Sequence, residues 1–206
     1  FLKANRVFSM NTSRGCPYLC SFCSVKTIWG RTYRSFRPQR IADEIKYLIM
    51  NYHATGIYFR EDNFTFDRYR VINICNLINR YKIEWVCESR VEHLDEELIK
   101  IMYDAGCRAI WFGVESGSNR MLKLIHKGVD KEKAIETFRL CKKHKIKTGA
   151  SFILGLPNET KQEVYETLDF AHKLDSYWTW FNYYLGIPGS DLYYKIIKEK
   201  LYDRLD

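Results

Sequence analysis

An α/β fold built on a parallel sheet is the architecture this sequence encodes. Three observations point to it. Short β-rich runs recur six times, an amphipathic helical pattern follows each run, and no Gly/Ser/Pro-rich linker interrupts the alternation. The expected unit is a single domain over residues 1–206. Its 46% hydrophobic content supplies one well-buried core, and its 28% charged content is that of an ordinary globular chain.

The strands are expected at Arg6–Met10, Gly56–Arg60, Glu84–Glu88, Ala109–Gly113, Lys147–Leu154 and Tyr177–Tyr184. Helices fill the gaps. Ile41, Ile45, Leu48 and Ile49 share one helical face, as do Val71, Ile74, Cys75 and Ile78. Leu94, Leu98, Ile101, Met102 and Ala105 form a third stripe, capped by Asp95. Ala134, Phe138 and Cys141 form a fourth. Thr160 and Glu163 have capping-box spacing ahead of Val164, Leu168 and Ala171, and a sixth helix starts near Ser190. Strands alternating with helices make a parallel sheet with right-handed crossovers. Periodicity leaves an open doubly wound sheet and a barrel equally available. In both, ligands gather at the carboxyl ends of the strands.

Composition narrows the class. No apolar run reaches the length of a membrane span and no signal peptide precedes the first strand, so no membrane role is expected. The chain opens on Phe1 rather than Met, which reads as a piece excised from a longer protein. Seven cysteines, three of them within eight residues, read as metal binding in a reducing cytoplasm rather than as a disulfide framework. The net charge is +8, with a basic segment at Lys142, Lys143, Lys145 and Lys147. Such a segment is either a solvated helix end or an anionic-ligand surface. The other charges are dispersed, which favours the helix end and argues against nucleic acid.

The segment after the first strand reads Gly15-Cys16-Pro17-Tyr18-Leu19-Cys20-Ser21-Phe22-Cys23, a C-x3-C-x2-C pattern. Three thiolates bind three irons of a cubane and leave the fourth iron open to an outside ligand. A structural zinc site wants a fourth protein ligand. The nearest downstream candidates, His53 and Cys75, lie in or beside helices.

This loop resembles the signature of the radical S-adenosylmethionine superfamily, including the aromatic Phe22 before the third cysteine. Further segments have counterparts there: Glu61-Asp62-Asn63-Phe64-Thr65, Arg90, Gly113-Val114-Glu115-Ser116-Gly117-Ser118, Gly155-Leu156-Pro157-Asn158-Glu159-Thr160 and Pro188-Gly189-Ser190-Asp191-Leu192-Tyr193. Together they resemble the subgroup whose members often carry a cobalamin-binding domain. The resemblance implies an open, partial (β/α)6 TIM-like barrel. It implies a 4Fe-4S cluster on Cys16, Cys20 and Cys23 whose open iron chelates S-adenosylmethionine. An electron from a donor such as flavodoxin or ferredoxin then splits the sulfonium into methionine and a 5′-deoxyadenosyl radical. A cobalamin, if used, belongs to a domain before Phe1, and the reaction expected is methyl transfer to a small-molecule substrate the sequence does not name.

The cofactor's groups suggest roles for the residues at the rim. Glu61 is expected to accept from its ammonium and Arg90 to fork its carboxylate. Glu115 and Ser116 are expected to hold ribose or amino-acid oxygens. The backbone at Phe22 and the strand from Ile153 to Gly155 are expected to read adenine. Each has a structural alternative. Glu61 can favour a helix dipole, Arg90 can make an ion pair, and Gly113, Gly117, Gly155 and Pro157 can serve turns and strand ends. Ser118 reads as a helix cap. Glu88 ranks below Arg90. Cys75, Cys107 and Cys141 read as buried hydrophobes, Cys87 stays ambiguous, and no His has ligand spacing. The aromatics of the last strand are expected to pack on both of its faces. Two other functions remain open: a methylthiotransferase-like enzyme, whose second cluster needs cysteines this chain lacks, and a zinc-stabilised nucleic-acid-binding domain.

Overall fold

The computed structural model describes residues 2–201. Its strands are β1 (Val7–Met10), β2 (Ser13–Arg14), β3 (Arg34–Ser35), β4 (Gly56–Phe59), β5 (Glu84–Ser89), β6 (Cys107–Glu115), β7 (Lys147–Leu154) and β8 (Trp178–Tyr183). Its α-helices are α1 (Val25–Trp29), α2 (Pro38–Tyr52), α3 (Arg68–Ile78), α4 (Glu96–Asp104), α5 (Asn119–Leu124), α6 (Lys131–Lys143), α7 (Lys161–Leu174) and α8 (Asp191–Lys198). All six expected strands are present. The small antiparallel ribbon of β2 and β3, with α1 and α5, is additional.

The main sheet runs β1-β4-β5-β6-β7-β8, and every pair is parallel. Each strand lies beside the next one along the chain, so the sheet winds in one sense only. A doubly wound sheet needs a reversal of order, and none occurs here. The order settles the alternative in favour of the open six-stranded barrel. Helices α2, α3, α4, α6 and α7 pack in sequence around its outside.

Burial alternates along the strands because successive side chains point to opposite faces. Ile57, Phe59, Trp85, Cys87, Ile110 and Phe152 face the helices and are fully buried. Tyr58, Glu88, Trp111 and Ser151 lie between them in sequence and point inward, only half-buried. The core therefore sits between sheet and helices, and the barrel interior is free to be polar. Cys87 belongs to the core side, where burial pushes its thiol far up. Cys75, Cys107 and Cys141 are core residues as well.

The helix starts were legible. Asp95 accepts from the Leu98 amide at 2.8 Å and Ser118 caps α5. Thr160 and Glu163 form the capping box, and Glu163 also accepts from Ser118 Oγ at 2.9 Å and from Arg120 Nε at 2.8 Å. The Arg120 guanidinium is the chief reason that the Glu163 carboxyl titrates well below its ordinary 4.5. A depressed carboxylate stabilises the fold fully above its unfolded pKa and progressively less as pH falls towards the folded value. Arg120 is half exposed and screened, so Glu163→Gln should cost about 1–2 kcal/mol at pH 7. Urea denaturation should show that gap shrinking by pH 3. A gap of constant size would mean that charge is not its source.

One expectation is met here and one is corrected. The basic segment is a neutralised helix end: Lys142 pairs with Asp175, Lys143 pairs with Glu96, and Lys147 lies 4.5 Å over the Tyr177 ring. The β8 aromatics pack only in part: the Trp180 ring stacks on Trp111 and the Phe181 ring on Phe152, and much of each stays exposed. Trp180, Phe181 and Tyr183 are 52%, 41% and 82% exposed. The reason is the path of α8, which does not cover β8. It returns to the barrel mouth, where Leu192 and Ile196 join Met121, Ile125 and Leu156 in a second apolar cluster.

Candidate functional site

The ribbon of β2 and β3 closes a loop that carries the three cysteines. Gly15 starts it at φ +86°, and a Cβ there would lie 2.4 Å from the Thr32 carbonyl oxygen. Only glycine meets both conditions without cost. The far side of the loop is tied to distant segments. The Ser21 amide donates to the Ile125 carbonyl at 2.9 Å, and the Leu192 amide donates to the Ser21 carbonyl at 2.8 Å. Thr27 Oγ1 donates to the Gly189 carbonyl at 2.9 Å. Phe22 anchors the loop by packing on the second apolar cluster.

Cys16, Cys20 and Cys23 are half-buried and line one cavity of about 960 Å3 inside the barrel. Burial raises the Cys16 and Cys23 thiols, with repulsion from Cys20 adding to it. Metal binding displaces the proton from a thiol of this kind. Among the described residues, no three His, Cys, Asp or Glu side chains gather as ligands of a single ion. A cubane asks for something different, because each thiolate binds a different iron. One short loop of three sulfur donors facing a roomy cavity fits that requirement.

Phe22, Asp62, Glu88, Ser89, Arg90, Glu115 and Lys127 share the cavity wall with the cysteines. Glu115 ends β6 after a register shift and holds φ +76°, a strained value for a residue with a side chain. Its carboxylate lies 3.1 Å from Lys127 Nζ, and both side chains are less than a tenth exposed. Gly113 makes this pair possible, since a Cβ there would lie 2.3 Å from Glu115 Oε1 and 3.0 Å from Lys127 Nζ.

Arg90 is 6% exposed and its donors are largely committed. Nη2 donates to Glu92 Oε1 at 2.9 Å and to the Lys127 carbonyl. Nη1 donates to Cys20 Sγ at 3.5 Å, and the guanidinium lies 4.0 Å over the Tyr18 ring. Either bidentate face of a guanidinium uses Nη2 together with Nε or Nη1. With both Nη2 hydrogens taken, Arg90 has no free fork for a carboxylate.

Four other expected residues lie outside the cavity wall. Glu61 is 5% exposed and turned towards the outer layer. It accepts from the Thr12 amide at 3.2 Å, the Thr12 hydroxyl at 2.5 Å and the Ser13 hydroxyl, with Arg70 3.9 Å away. Its neighbour Asp62 lines the cavity in its place, and burial raises the Asp62 carboxyl. Ser116 is fully buried between Thr167 Oγ1, at 3.2 Å, and the Ser118 amide, at 3.1 Å. Ile153 packs on the second apolar cluster. Gly155 is exposed at φ +74° and donates its amide to Glu159 at 2.6 Å.

The residues that sequence reasoning missed are Asp62, Lys127, Tyr58, Trp111, Ser151 and Asn182, all in the cavity wall. Strand parity carried a usable signal for Tyr58, Trp111 and Ser151, which alternate with fully apolar neighbours. Tyr58 donates to Glu88, and burial together with that bond holds its phenol far above the ordinary range. The Trp111 ring lies across Gly149, where a Cβ would come within 1.8 Å of it, and stacks on Trp180 at 4.5 Å.

Comparison with known proteins supplies the family. Residues 10–171 match the model of the radical SAM superfamily. The chain is 36% identical over 192 residues to an uncharacterized methyltransferase of Pyrococcus horikoshii, covering 92% of this chain and 42% of that protein. It is 36% identical over 182 residues to the anaerobic magnesium-protoporphyrin IX monomethyl ester cyclase of Cereibacter sphaeroides, covering 85% and 28%. Among solved structures, the radical S-adenosylmethionine methyltransferase TsrM of Kitasatospora setae, with cobalamin and a 4Fe-4S cluster bound, superposes with a TM-score of 0.84. The identity is 23%, over 94% of this chain and 37% of that one. The chain thus spans less than half the length of these relatives. Among its described residues no helix is long and apolar enough to cross a membrane. The family match sets aside the zinc-stabilised nucleic-acid domain. With its cysteine loop at the mouth of an open six-stranded parallel barrel, the chain belongs to the radical SAM superfamily.

Proposed function

We propose that this chain is the radical-generating core of a radical S-adenosylmethionine enzyme, part of a cobalamin-dependent methyltransferase or a related enzyme. One observation carries the reading: the three cysteines of a single loop line the same interior cavity as the buried Glu115–Lys127 pair. Cys16, Cys20 and Cys23 would hold a 4Fe-4S cluster. When bound, the cluster supplies one electron to the sulfonium of S-adenosylmethionine, which divides into methionine and a 5′-deoxyadenosyl radical.

The chain's own residues bind, orient and shield. Lys127 offers the cation that a carboxylate needs, and Glu115 and Asp62 offer acceptors for an ammonium or a ribose diol. Phe22 keeps the loop seated beside the adenine. Glu88, Tyr58, Ser151, Asn182 and the Trp111–Trp180 stack line the same cavity and bound the space left for a substrate. The apolar part of the wall, Val86, Phe112 and the two tryptophans, limits the water that would quench a carbon radical. The substrate is a small molecule, the electron donor is of the flavodoxin or ferredoxin type, and the compartment is the reducing cytoplasm. A cobalamin would be held by a separate domain, and none of these roles depends on it.

The test is anaerobic incubation of the intact, reconstituted protein with S-adenosylmethionine and dithionite. Methionine and 5′-deoxyadenosine should appear in equal amounts, and methyl transfer should need cobalamin. Protein with a full cluster that leaves S-adenosylmethionine intact would overturn the reading.

A further inference from the structure

We infer that Arg90 sets the reduction potential of the cluster, through a charge-assisted N–H···S hydrogen bond to Cys20, and does not bind the carboxylate of S-adenosylmethionine. The inference rests on the cluster proposed for Cys16, Cys20 and Cys23. Two observations carry it. The Nη1 of Arg90 lies 3.5 Å from Cys20 Sγ, and both Nη2 hydrogens are spent on Glu92 and the Lys127 carbonyl. What remains is Nε, buried without a partner, and one Nη1 hydrogen, which together make no fork.

The guanidinium is also clamped in place. Tyr18, which lies between Cys16 and Cys20 in the loop, provides a ring face 4.0 Å below it. The Tyr18 hydroxyl is fixed in turn, 2.7 Å from His93 Nε2. A clamped cation at 6% exposure is poorly screened by water, and although Glu92 offsets part of its charge, Nη1 delivers its N–H directly to the sulfur. Accepting one electron from a flavodoxin- or ferredoxin-type donor adds one negative charge to the cluster. A fixed positive donor at a ligating sulfur stabilises that reduced form more than the oxidised form. Hydrogen bonds to sulfur and local charge are established levers on such potentials.

The experiment is an EPR-monitored redox titration of the intact, anaerobically reconstituted protein without S-adenosylmethionine. It is paired with equilibrium dialysis of S-adenosylmethionine against the oxidised protein. Arg90→Ala should make the cluster about tenfold harder to reduce, a fall of about 59 mV for a one-electron couple. Affinity for S-adenosylmethionine should stay within about threefold. If Arg90→Ala takes up less iron than the parent, Arg90→Gln keeps an N–H donor without the charge, and a smaller fall in the same direction is expected in it. An unchanged midpoint potential overturns the inference, whether or not S-adenosylmethionine binding is lost. Failure of the parent protein to hold any cluster would instead overturn the reading beneath it.

Discussion

Replacing Cys16, Cys20 or Cys23 by Ala is expected to abolish cluster binding and with it all cleavage of S-adenosylmethionine. The intact protein, reconstituted without oxygen, should hold about four iron and four sulfide per chain. Each cysteine would supply the only protein ligand to its iron, so no neighbour could take over. The loop would keep its fold, because its anchors are Gly15, Ser21, Phe22 and Thr27 rather than the thiols. The control is Cys75→Ala or Cys141→Ala. Both thiols are buried on the helix side of the sheet, and burial holds both strongly protonated. These variants should lose about 1 kcal/mol of stability and no iron. Iron and sulfide analysis beside the visible spectrum decides the matter, and stoichiometric zinc without sulfide in the parent would refute it.

The second large effect is expected at Lys127. Lys127→Met removes the cation and leaves Glu115 buried at the end of β6 without its partner. Breaking a buried pair from one side typically costs about 3–5 kcal/mol, because the remaining charge has lost its compensation. The same change removes the candidate cation for the S-adenosylmethionine carboxylate, worth about 2–5 kcal/mol of binding. Urea denaturation and equilibrium dialysis should therefore both register the substitution. Glu115→Gln with Lys127→Met should recover much of the stability, since it leaves no unpaired charge, without recovering the binding. If the double variant binds S-adenosylmethionine like the parent, the pair is a structural element only.

Much of this molecule was readable because its signals are local. The caps at Asp95, Ser118 and Thr160 each depend on residues three or four positions away. The strand positions follow from apolar runs, and Lys147–Leu154 matches the structure end for end. The cysteine spacing likewise lies within one short loop. The added pieces were harder to see. The two-residue strands β2 and β3 are too short to show any period, and α5 has only six residues.

The sequence by itself determined the order of the main strands and helices, the cysteine loop and the rim on which the site lies. Tertiary structure alone decided which side chains reach that site. Glu61 and Asp62 are adjacent acids at one strand end, and successive residues there face opposite ways. Glu61 turned to Thr12, Ser13 and Arg70, which left Asp62 to face the cavity. Lys127 follows no strand, and it enters the site because the turn after α5 folds it back over Gly113. Arg90 has the expected position and a different set of partners, because the Lys127 carbonyl and Glu92 reach its Nη2 hydrogens first. Each of these outcomes depends on contacts between segments far apart in the chain, and no local pattern records them.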